Sequence, residues 1–366
     1  MSEGETRAAL RRGWTTGACA SGAARAAFEA LLTGMFPDPV PVALPKGLRP
    51  EFALAIQELG GDFARAGIVK DAGDDPDVTH GALIVATVRF NPKGAGLSFK
   101  AGEGVGTVTR PGLPLPPGEP AINPKPRAMI RANLGEVAER LAVAPDVLVE
   151  ISVPGGERVA ERTANARLGI LGGLSILGTT GVVVPYSCSA WIHSIVSGVD
   201  VARASGCAHI GAATGETSEA AIRALHGLPD HALIEMGDFA GGFLKYLRAR
   251  PVPRVTIAGG PAKLTKLAEG RLDLHSRRGA VDLDALAERV AEAGGSPALA
   301  QAIASANSAL HAFELAAASG FDLPALIADG AWGTAARTLC GANCELEVVV
   351  VGRDGGVLAS SGFRRV

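Results

Sequence analysis

A chain of 366 residues is long for a single hydrophobic core, and its 47% hydrophobic content provides apolar material for two domains. The formal net charge of −2 gives no field that would concentrate the protein on a phosphate backbone, so no nucleic-acid partner is expected. No run approaches the roughly eighteen uninterrupted apolar residues of a spanning helix, and the first residues lack the apolar core of a signal peptide, so no membrane partner is expected. The composition predicts a cytoplasmic enzyme that acts on a small molecule.

The first half of the chain predicts an α+β domain with a mixed sheet over residues 1–154. Its first helix is expected from Thr15 to Leu32, because Thr15 or Thr16 can cap it and Gly34 can end it. Short apolar runs broken by proline and glycine predict the strands, and one more helix follows them. The strands are expected at 40–44, 52–56, 68–69, 82–90 and 147–153, and the second helix at 127–141.

Seven prolines between Arg110 and Pro126 exclude a helix or a central strand there, so this segment predicts a stiff surface loop. The loop and the residue that follows it carry Arg110, Lys125 and Arg127. Arginine holds carboxylates well because its fork of donors is planar and permanently charged. Ordinary surface charge is the alternative interpretation for each of these residues.

Beyond residue 154, short apolar strands alternate with helices, which is typical of a parallel sheet covered on both faces. We predict a Rossmann-like three-layer α/β/α domain with a mostly parallel sheet over residues 155–366. Ligands of such sheets bind beyond the carboxyl ends of the strands. Its strands are expected at 208–212, 232–236 and 255–258, its helices near 191, 218 and 243, a helical cap at 297–341, and a final hairpin at 345–351 and 357–359.

The glycine-rich run from Gly169 to Gly181 reads GILGGLSILGTTG. Its glycines allow a ligand to approach the backbone closely, and Thr179 and Thr180 offer hydroxyls and amides. The spacing alone is compatible with a nucleotide or adenosyl site and equally with a tight turn. The run does not match the dinucleotide-binding fingerprint, and no Gly-Lys-Ser/Thr sequence closes it as a phosphate loop.

Residues 70–81 read KDAGDDPDVTHG and crowd four carboxylates beside one imidazole. Crowded carboxylates repel one another, so such segments face water, hold a cation, or serve chemistry through shifted pKa values. A calcium loop is excluded because no glutamate stands at the closing position. A solvated turn and a catalytic segment both remain open. The catalytic candidates are Asp71, Asp74, Asp75 and His80.

The five cysteines are odd in number and scattered, which fits reduced thiols in a cytoplasm. Cys340 and Cys344 could share a helical face as metal ligands. No second pair stands at ligand spacing, so no metal site is expected. Cys19, at the start of a predicted helix, could be an activated thiolate or a packed side chain, and packing is the commoner role.

Five blocks occur in order along the chain: RRGWTTGACA at 11–20, KDAGDDPDVTHG at 70–81, GEGVGTVTRPG at 102–112, EPAINPKP at 119–126 and GILGGLSILGTTG at 169–181. In this order they resemble the cobalt-precorrin-5B C1-methyltransferase family of anaerobic cobalamin biosynthesis. The likeness runs from about residue 11 to residue 275.

The resemblance implies methyl transfer from S-adenosyl-L-methionine to C1 of cobalt-precorrin-5B, a carboxylate-rich tetrapyrrole, to give cobalt-precorrin-6A. It also implies two α/β domains, and a cobalt ion that belongs to the substrate and not to the protein. The sequence leaves a homo-oligomer open. The expected cofactor-binding residues are Gly169, Gly172, Gly173, Gly178, Thr179 and Thr180. The expected substrate-binding residues are Thr15, Thr16, Arg110, Lys125 and Arg127.

Two loops depart from the family pattern. Residues 257–270 lack the expected His-Ile-Gly before Lys263, and residues 211–216 read GAATGE where a sequence closer to Pro-Gly-Asn is expected. Both lie at predicted strand ends, where a ligand should bind. A non-catalytic carrier of corrinoids or other tetrapyrroles is the alternative function, followed by an oxidoreductase, and binding of adenosylmethionine would separate the three.

Overall fold

The structure, a computed structural model, describes residues 10–366 except the side chain of Arg277. Contacts between Cα atoms divide the chain into two compact units, which meet in sequence at Cys188 and Ser189. Both units mix helices with sheets, so the fold is mixed α/β, as the sequence predicts.

The strands of the first unit are β1 (Gly13–Trp14), β2 (Val40–Pro41), β3 (Glu51–Phe52), β4 (Ile56–Leu59), β5 (Phe63–Val69), β6 (Leu83–Phe90), β7 (Ser98–Ala101), β8 (Thr107–Val108), β9 (Val147–Ser152), β10 (Ile170–Leu171) and β11 (Val182–Val183). Its helices are α1 (Thr16–Thr33), α2 (Pro124–Leu141) and α3 (Gly156–Ala160).

A five-stranded sheet in the order β4-β5-β6-β9-β7 organises the first unit, and only the β7–β9 pair is parallel. Val147, Val149 and Ile151 alternate along β9 as the period of a strand requires, and all three are fully buried. They share one hydrophobic core with α1 and α2. The sheet therefore buries one face against two helices, and the predicted α+β character with a mixed sheet is present in this unit.

Helix α1 begins and ends where the sequence predicts. The Thr15 side chain accepts a hydrogen bond from the amide of Ala18, and Gly34 ends the helix in the left-handed conformation. The start of α2 is different, because the helix begins at Pro124 and not at Arg127. Proline is tolerated in a first helical turn, where its missing amide proton is not needed, so the rigid loop ends earlier than predicted.

The division between the units falls later than the boundary expected after residue 154. Strand β10 pairs with β8, and β11 pairs with β1, so residues 155–188 belong with the first unit. The Pro-Gly-Gly sequence at 154–156 resembles a linker. A Cβ built at Gly156 would instead lie 2.3 Å from the carbonyl oxygen of Gly104, because the two backbones touch there.

The strands of the second unit are β12 (His209–Ala213), β13 (Leu233–Glu235), β14 (Arg254–Gly259), β15 (Glu345–Val351), β16 (Val357–Ser360) and β17 (Arg364–Arg365). Its helices are α4 (Cys188–Ala204), α5 (Glu216–His226), α6 (Ala240–Ala249), α7 (Pro261–Ala268), α8 (Leu283–Glu292), α9 (Pro297–Ala304), α10 (Ala309–Ala318) and α11 (Leu323–Leu339).

The second sheet has the order β13-β12-β14-β15-β16, with the first four strands parallel and the C-terminal strands antiparallel to β15. Both faces of the parallel strands are buried. Val348 belongs to the larger core and its neighbour Val349 to a smaller core with Ile222 of α5. The parallel strands and the final hairpin are as predicted, whereas α7 and α8 were not predicted.

No helix within residues 10–366 has the length and apolar character needed to cross a membrane.

A buried polar cluster lies on the α5 side of the second sheet. The hydroxyl of Thr256 donates to Glu347 (2.9 Å) and faces Nε2 of His209 (2.8 Å), and His226 Nε2 lies 2.7 Å from Glu347. Burial, followed by the charge of neighbouring His226, lowers the pKa of His209 from 6.5 to about 4. The fold therefore favours the neutral form of His209.

The stability of the protein should consequently fall in mild acid. Because the pKa of His209 is lower in the folded protein, its contribution to stability is complete above pH 6.5. That contribution is lost as the pH falls toward about 4, because the unfolded chain binds the proton first. We expect His209→Gln to reduce this loss of stability by about 2 kcal/mol. One pKa unit corresponds to about 1.4 kcal/mol, and the full shift is discounted because the ring is only half-buried. Urea unfolding at several pH values between 7.5 and 4.5 measures it. His193→Gln, on an exposed position of α4, is the control and should follow the wild type. Equal pH dependence of wild type and His209→Gln would contradict the assignment.

Candidate functional site

All five sequence blocks lie in the first unit, and backbone contacts join the first block to the acidic segment. The amide of Trp14 donates to the carbonyl of Asp71 (2.7 Å). A Cβ built at Gly13 would lie 2.0 Å from the carbonyl carbon of Ala72, so only glycine allows this approach. The two blocks, about sixty positions apart in sequence, therefore form one structural feature.

Arg11 neutralises the first carboxylate of the acidic segment. Its guanidinium pairs with both oxygens of Asp71, and the amide of Gly73 donates to the same carboxylate at 2.9 Å. The hydrogen bond from Arg11, supported by that from Gly73, lowers the pKa of Asp71 to about 2. Asp71 is therefore ionised at neutral pH.

Asp74 and Asp75 are held from outside the segment. One oxygen of Asp74 accepts the amide of Arg11 (2.6 Å), and one oxygen of Asp75 accepts the amide of Tyr186 (2.8 Å). Each carboxylate uses one oxygen in these contacts. The segment is thus a loop whose carboxylates have defined partners in other parts of the first unit.

His80 has a defined tautomer when it is neutral. Its Nδ1 accepts the amide of Ala72 at 3.1 Å and lies 3.9 Å from Asp71, so the proton must reside on Nε2. The side chain is 54% exposed. In this arrangement His80 presents a hydrogen-bond donor to an incoming ligand.

A buried lysine anchors the base of the loop. Lys70 is 1% exposed, and its ammonium lies 2.6 Å from Asp77, which also accepts two hydrogen bonds from Thr79. Burial acts to raise the pKa of Asp77, but the charge and hydrogen bond of Lys70, together with Thr79, outweigh it and lower the pKa. No role for Lys70 was predicted from the sequence.

Most glycines of the 169–181 run serve close packing. A Cβ at Gly173 would lie 2.3 Å from Gly104, one at Gly178 would lie 2.3 Å from Oγ1 of Thr15, and one at Gly169 would lie 2.5 Å from the stem of Arg110. Gly172 differs, because its surroundings are open. The structure thus places Gly178 against Thr15 and Gly169 against Arg110, and three of the glycines are required by close packing.

The threonines divide in the same way. Thr15 caps α1, and the hydroxyl of Thr16 donates to the carbonyl of Leu177 (3.0 Å) and accepts the amide of Leu177 (3.1 Å). The hydroxyl of Thr180 donates to the carbonyl of Val182 and accepts the amide of Val182, both at 3.3 Å, and Thr179 is exposed. Thr15 and Thr16 therefore join the start of α1 to the glycine-rich run.

The three predicted cations have different surroundings. Arg127 donates to the carbonyls of Ile122 (2.7 Å) and Pro120 (3.0 Å), pairs with Glu119 and is mostly buried. Among residues 10–366, Arg110 and Lys125 form no ion pair or side-chain hydrogen bond. Arg127 holds its own loop, whereas the other two charges are available to an anion.

Cys19 is fully buried, and burial raises the pKa of its thiol to about 12. The residue is therefore a neutral packed side chain, the commoner of the two roles considered. Within the described part of the chain, His, Cys, Asp and Glu form no group of three or more that could hold a metal ion.

The second unit contains a cavity of about 310 Å³ at the carboxyl ends of its parallel strands. Residues 214–218, 260–263 and 351–353 line it, and they follow β12, β14 and β15 respectively. The loops at 211–216 and 257–270 were expected at strand ends, where a ligand should bind, but no site residue was predicted in them. The alternation of strands and helices in the sequence is the signal that predicts a site at these strand ends. The prediction was incomplete because α7, whose first turn lines the cavity, was not predicted.

The comparisons with known proteins agree with the resemblance. A family model described as CbiD matches residues 3–185, and one described as CbiD, C-terminal domain, matches residues 273–362. A cobalt-precorrin-5B C(1)-methyltransferase from Agrobacterium fabrum is 63% identical over 94% of this chain and 91% of its own length. The chain belongs to the CbiD family.

A second CbiD-family relative, from Methylorubrum extorquens, carries the same name and is 62% identical over 96% of this chain and 98% of its own length. A crystal structure titled cobalamin biosynthesis protein (cbiD), from Archaeoglobus fulgidus, is 31% identical and covers 74% of this chain and 83% of that one, with a TM-score of 0.40. The family model over residues 3–185 and the identity of the two relatives confirm the predicted family.

The two ion pairs of the acidic loop should differ strongly in their effect on stability. We expect Asp77→Ala to lower the free energy of unfolding by about 3 kcal/mol, because it leaves the buried Lys70 ammonium without a counter-charge. Arg11→Ala removes a solvent-exposed pair and should cost much less. Urea unfolding followed by circular dichroism compares them. The double variant Lys70→Met/Asp77→Ala is the control and should recover part of the loss. An Asp77→Ala effect no larger than that of Arg11→Ala would contradict this interpretation.

Proposed function

We propose that this chain transfers a methyl group from S-adenosyl-L-methionine to C1 of cobalt-precorrin-5B and so forms cobalt-precorrin-6A. The observation that carries the proposal is the similarity, over nearly the whole of both chains, to relatives with this name. All five sequence blocks lie in one compact unit, which agrees with the proposal because proteins with the same activity share the local structure of the site.

Methyl transfer depends mainly on correct positioning of the donor and the acceptor carbon. The donor supplies an electrophilic methyl group: the new carbon–carbon bond forms as the sulfur–carbon bond breaks, and the electron pair of that bond stays on sulfur. An in-line displacement of this kind gains most from holding the two reacting atoms close and aligned. The residues of the first unit are suited to that task through charge and rigidity.

We propose that the first unit binds the carboxylate-rich ring. Arg110 and Lys125 supply positive charges that no other described residue neutralises, and a nearly neutral protein needs such local charges to hold a polyanion. Thr15 and Thr16 position the start of α1 beside the glycine-rich run. Arg127 acts on the substrate indirectly, because its own donors already order the loop.

The acidic loop provides the catalytic candidates. The tautomer of His80 makes it a donor to a substrate carboxylate when it is neutral, and the Asp71–Arg11 pair holds the loop in place. Asp74 and Asp75 each accept one backbone amide through a single oxygen. We infer that they serve any proton transfer or orient the ring through their remaining oxygens.

We also infer a Rossmann-like three-layer arrangement for the second unit, beginning near Ser189 and not at residue 155. The four parallel strands and the separate hydrophobic cores on their two faces support this inference. Within the glycine-rich run, Gly172, Thr179 and Thr180 remain candidates for contact with the methyl donor. At Gly169, Gly173 and Gly178 neighbouring atoms already occupy the space beside the backbone.

The reaction can be tested directly with methyl-labelled adenosylmethionine and cobalt-precorrin-5B. We expect the label at C1 of the product, observed by carbon NMR, together with one equivalent of S-adenosylhomocysteine. Label at another ring carbon would keep the methyltransferase class and refute the position. Absence of transfer by folded protein with authentic substrate would refute both, and would favour a carrier.

The acidic loop gives a second test. Asp74→Asn and Asp75→Asn should each reduce turnover at least tenfold, which corresponds to about 1.4 kcal/mol of barrier. Asp62→Asn, in the exposed turn between β4 and β5, is the matched control and should keep the wild-type rate. Near-normal turnover when Asp74 and Asp75 are both replaced would show that the loop is structural only.

A further inference from the structure

The cavity of the second unit lies where the order of the strands reverses. The chain passes from β12 to β13 on one side and then returns to β14 on the other side of β12. The loop that follows β12 and the loop that follows β14 therefore diverge, and residues 214–218 and 260–263 line the space between them. In doubly wound sheets such reversal points are where ligands bind.

One lysine connects the three strand ends at this point. Lys263, in the first turn of α7, donates to the carbonyl of Thr214 after β12 (2.8 Å) and lies 3.2 Å from Asp238 after β13. That oxygen of Asp238 is buried and has no hydrogen bond, because the ammonium is in ion-pair range but not in donor geometry. Asp238 is not one of the residues that line the cavity, so its part is to hold Lys263, which is one of them.

The size of the cavity limits the ligand. Its volume of about 310 Å³ is at the lower end of the roughly 300–1,000 Å³ range of small-molecule sites. A nucleoside derivative matches that size, whereas a tetrapyrrole with its acidic side chains is far larger. The walls combine backbone amides and hydroxyls at two helix starts with Glu216, Lys263 and Arg353, which suits a ligand that carries both a diol and an amino-acid group.

We propose that this cavity binds the adenosyl part of the methyl donor S-adenosyl-L-methionine, with the lysine-bearing start of α7, which Asp238 holds in place, facing the polar end. The assignment deepens the proposed function and rests on it. It moves the principal donor site away from the glycine-rich run, where Gly169, Gly173 and Gly178 are already occupied by packing.

Two glycines allow the cavity to be filled without disturbing the fold. Gly215 has φ 169° and Gly260 has φ −74°, conformations that any residue adopts. A Cβ at Gly215 meets no atom within 4 Å, and one at Gly260 comes no closer than 3.9 Å to the carbonyl of Val351. Gly215→Leu and Gly260→Leu should therefore fold normally and place a side chain where the ligand would lie.

The experiment is titration calorimetry of the full chain with S-adenosylhomocysteine, with the KM for adenosylmethionine as a second measurement. Both leucine variants should bind at least tenfold more weakly than wild type and show a raised donor KM, with circular dichroism unchanged. Gly61→Leu, in an open turn of the first unit, is the control for an added leucine. Gly172→Asn tests the competing glycine-rich run, since asparagine tolerates its positive φ of 83°.

Three results are distinguishable. Loss of donor binding in the two leucine variants alone would support the proposal. Wild-type affinity and donor KM in those variants would overturn the cavity assignment and leave the methyltransferase function intact, more decisively if Gly172→Asn weakened binding. A wild-type chain that neither bound the probe nor transferred a methyl group would overturn the cavity assignment and the proposed function together.

Discussion

Contact between backbones at glycine is the constraint on which the first unit depends. Gly13 lies against Ala72, Gly173 against Gly104, and neither position has room for a Cβ atom. Through these contacts, and through that of Gly178 with Thr15, the opening block, the acidic loop and the glycine-rich run come together although they are far apart in sequence. Loops of a catalytic site need such rigid support, because small displacements of a positioned group reduce the rate strongly.

The second unit uses a different principle. Its parallel strands are buried on both faces, so their side chains serve packing and the chemistry is confined to the strand ends. The polar residues of the cavity and Asp238 all lie at those ends. The two units thus differ in what they offer a ligand: the first has positive charges and an acidic loop, and the second has a cavity of nucleoside size.

Much of this organisation could be predicted from local sequence. The caps of α1 and the final hairpin depend on neighbouring residues, so Thr15, Gly34 and the glycine turn were sufficient. Helix α7 was missed because Gly-Gly-Pro before Ala262 resembles a loop, although proline is favoured in a first helical turn. The division between the compact units falls beyond the boundary predicted near residue 154, because the strand pairing that joins residues 155–188 to the first unit is not local.

Roles within the site were harder to predict. Nothing near Asp71 in sequence identifies Arg11 as its partner, and nothing in the glycine-rich run distinguishes a glycine that meets a ligand from one that meets Thr15. These distinctions require distances between remote segments. The family itself was recognisable because its blocks are long and unusual, and that recognition did not depend on knowing which residue contacts what.

The burial of Lys70 makes its amine a chemical reporter. Acylating reagents attack neutral, accessible amines, so an ammonium that is 1% exposed and paired with Asp77 reacts only when the acidic loop opens. The labelling rate of this lysine, read by mass spectrometry against the exposed lysines of the same chain, therefore measures how often the loop departs from its closed form. A substrate that binds over the loop would lower the labelling rate of Lys70 without contacting Lys70 itself.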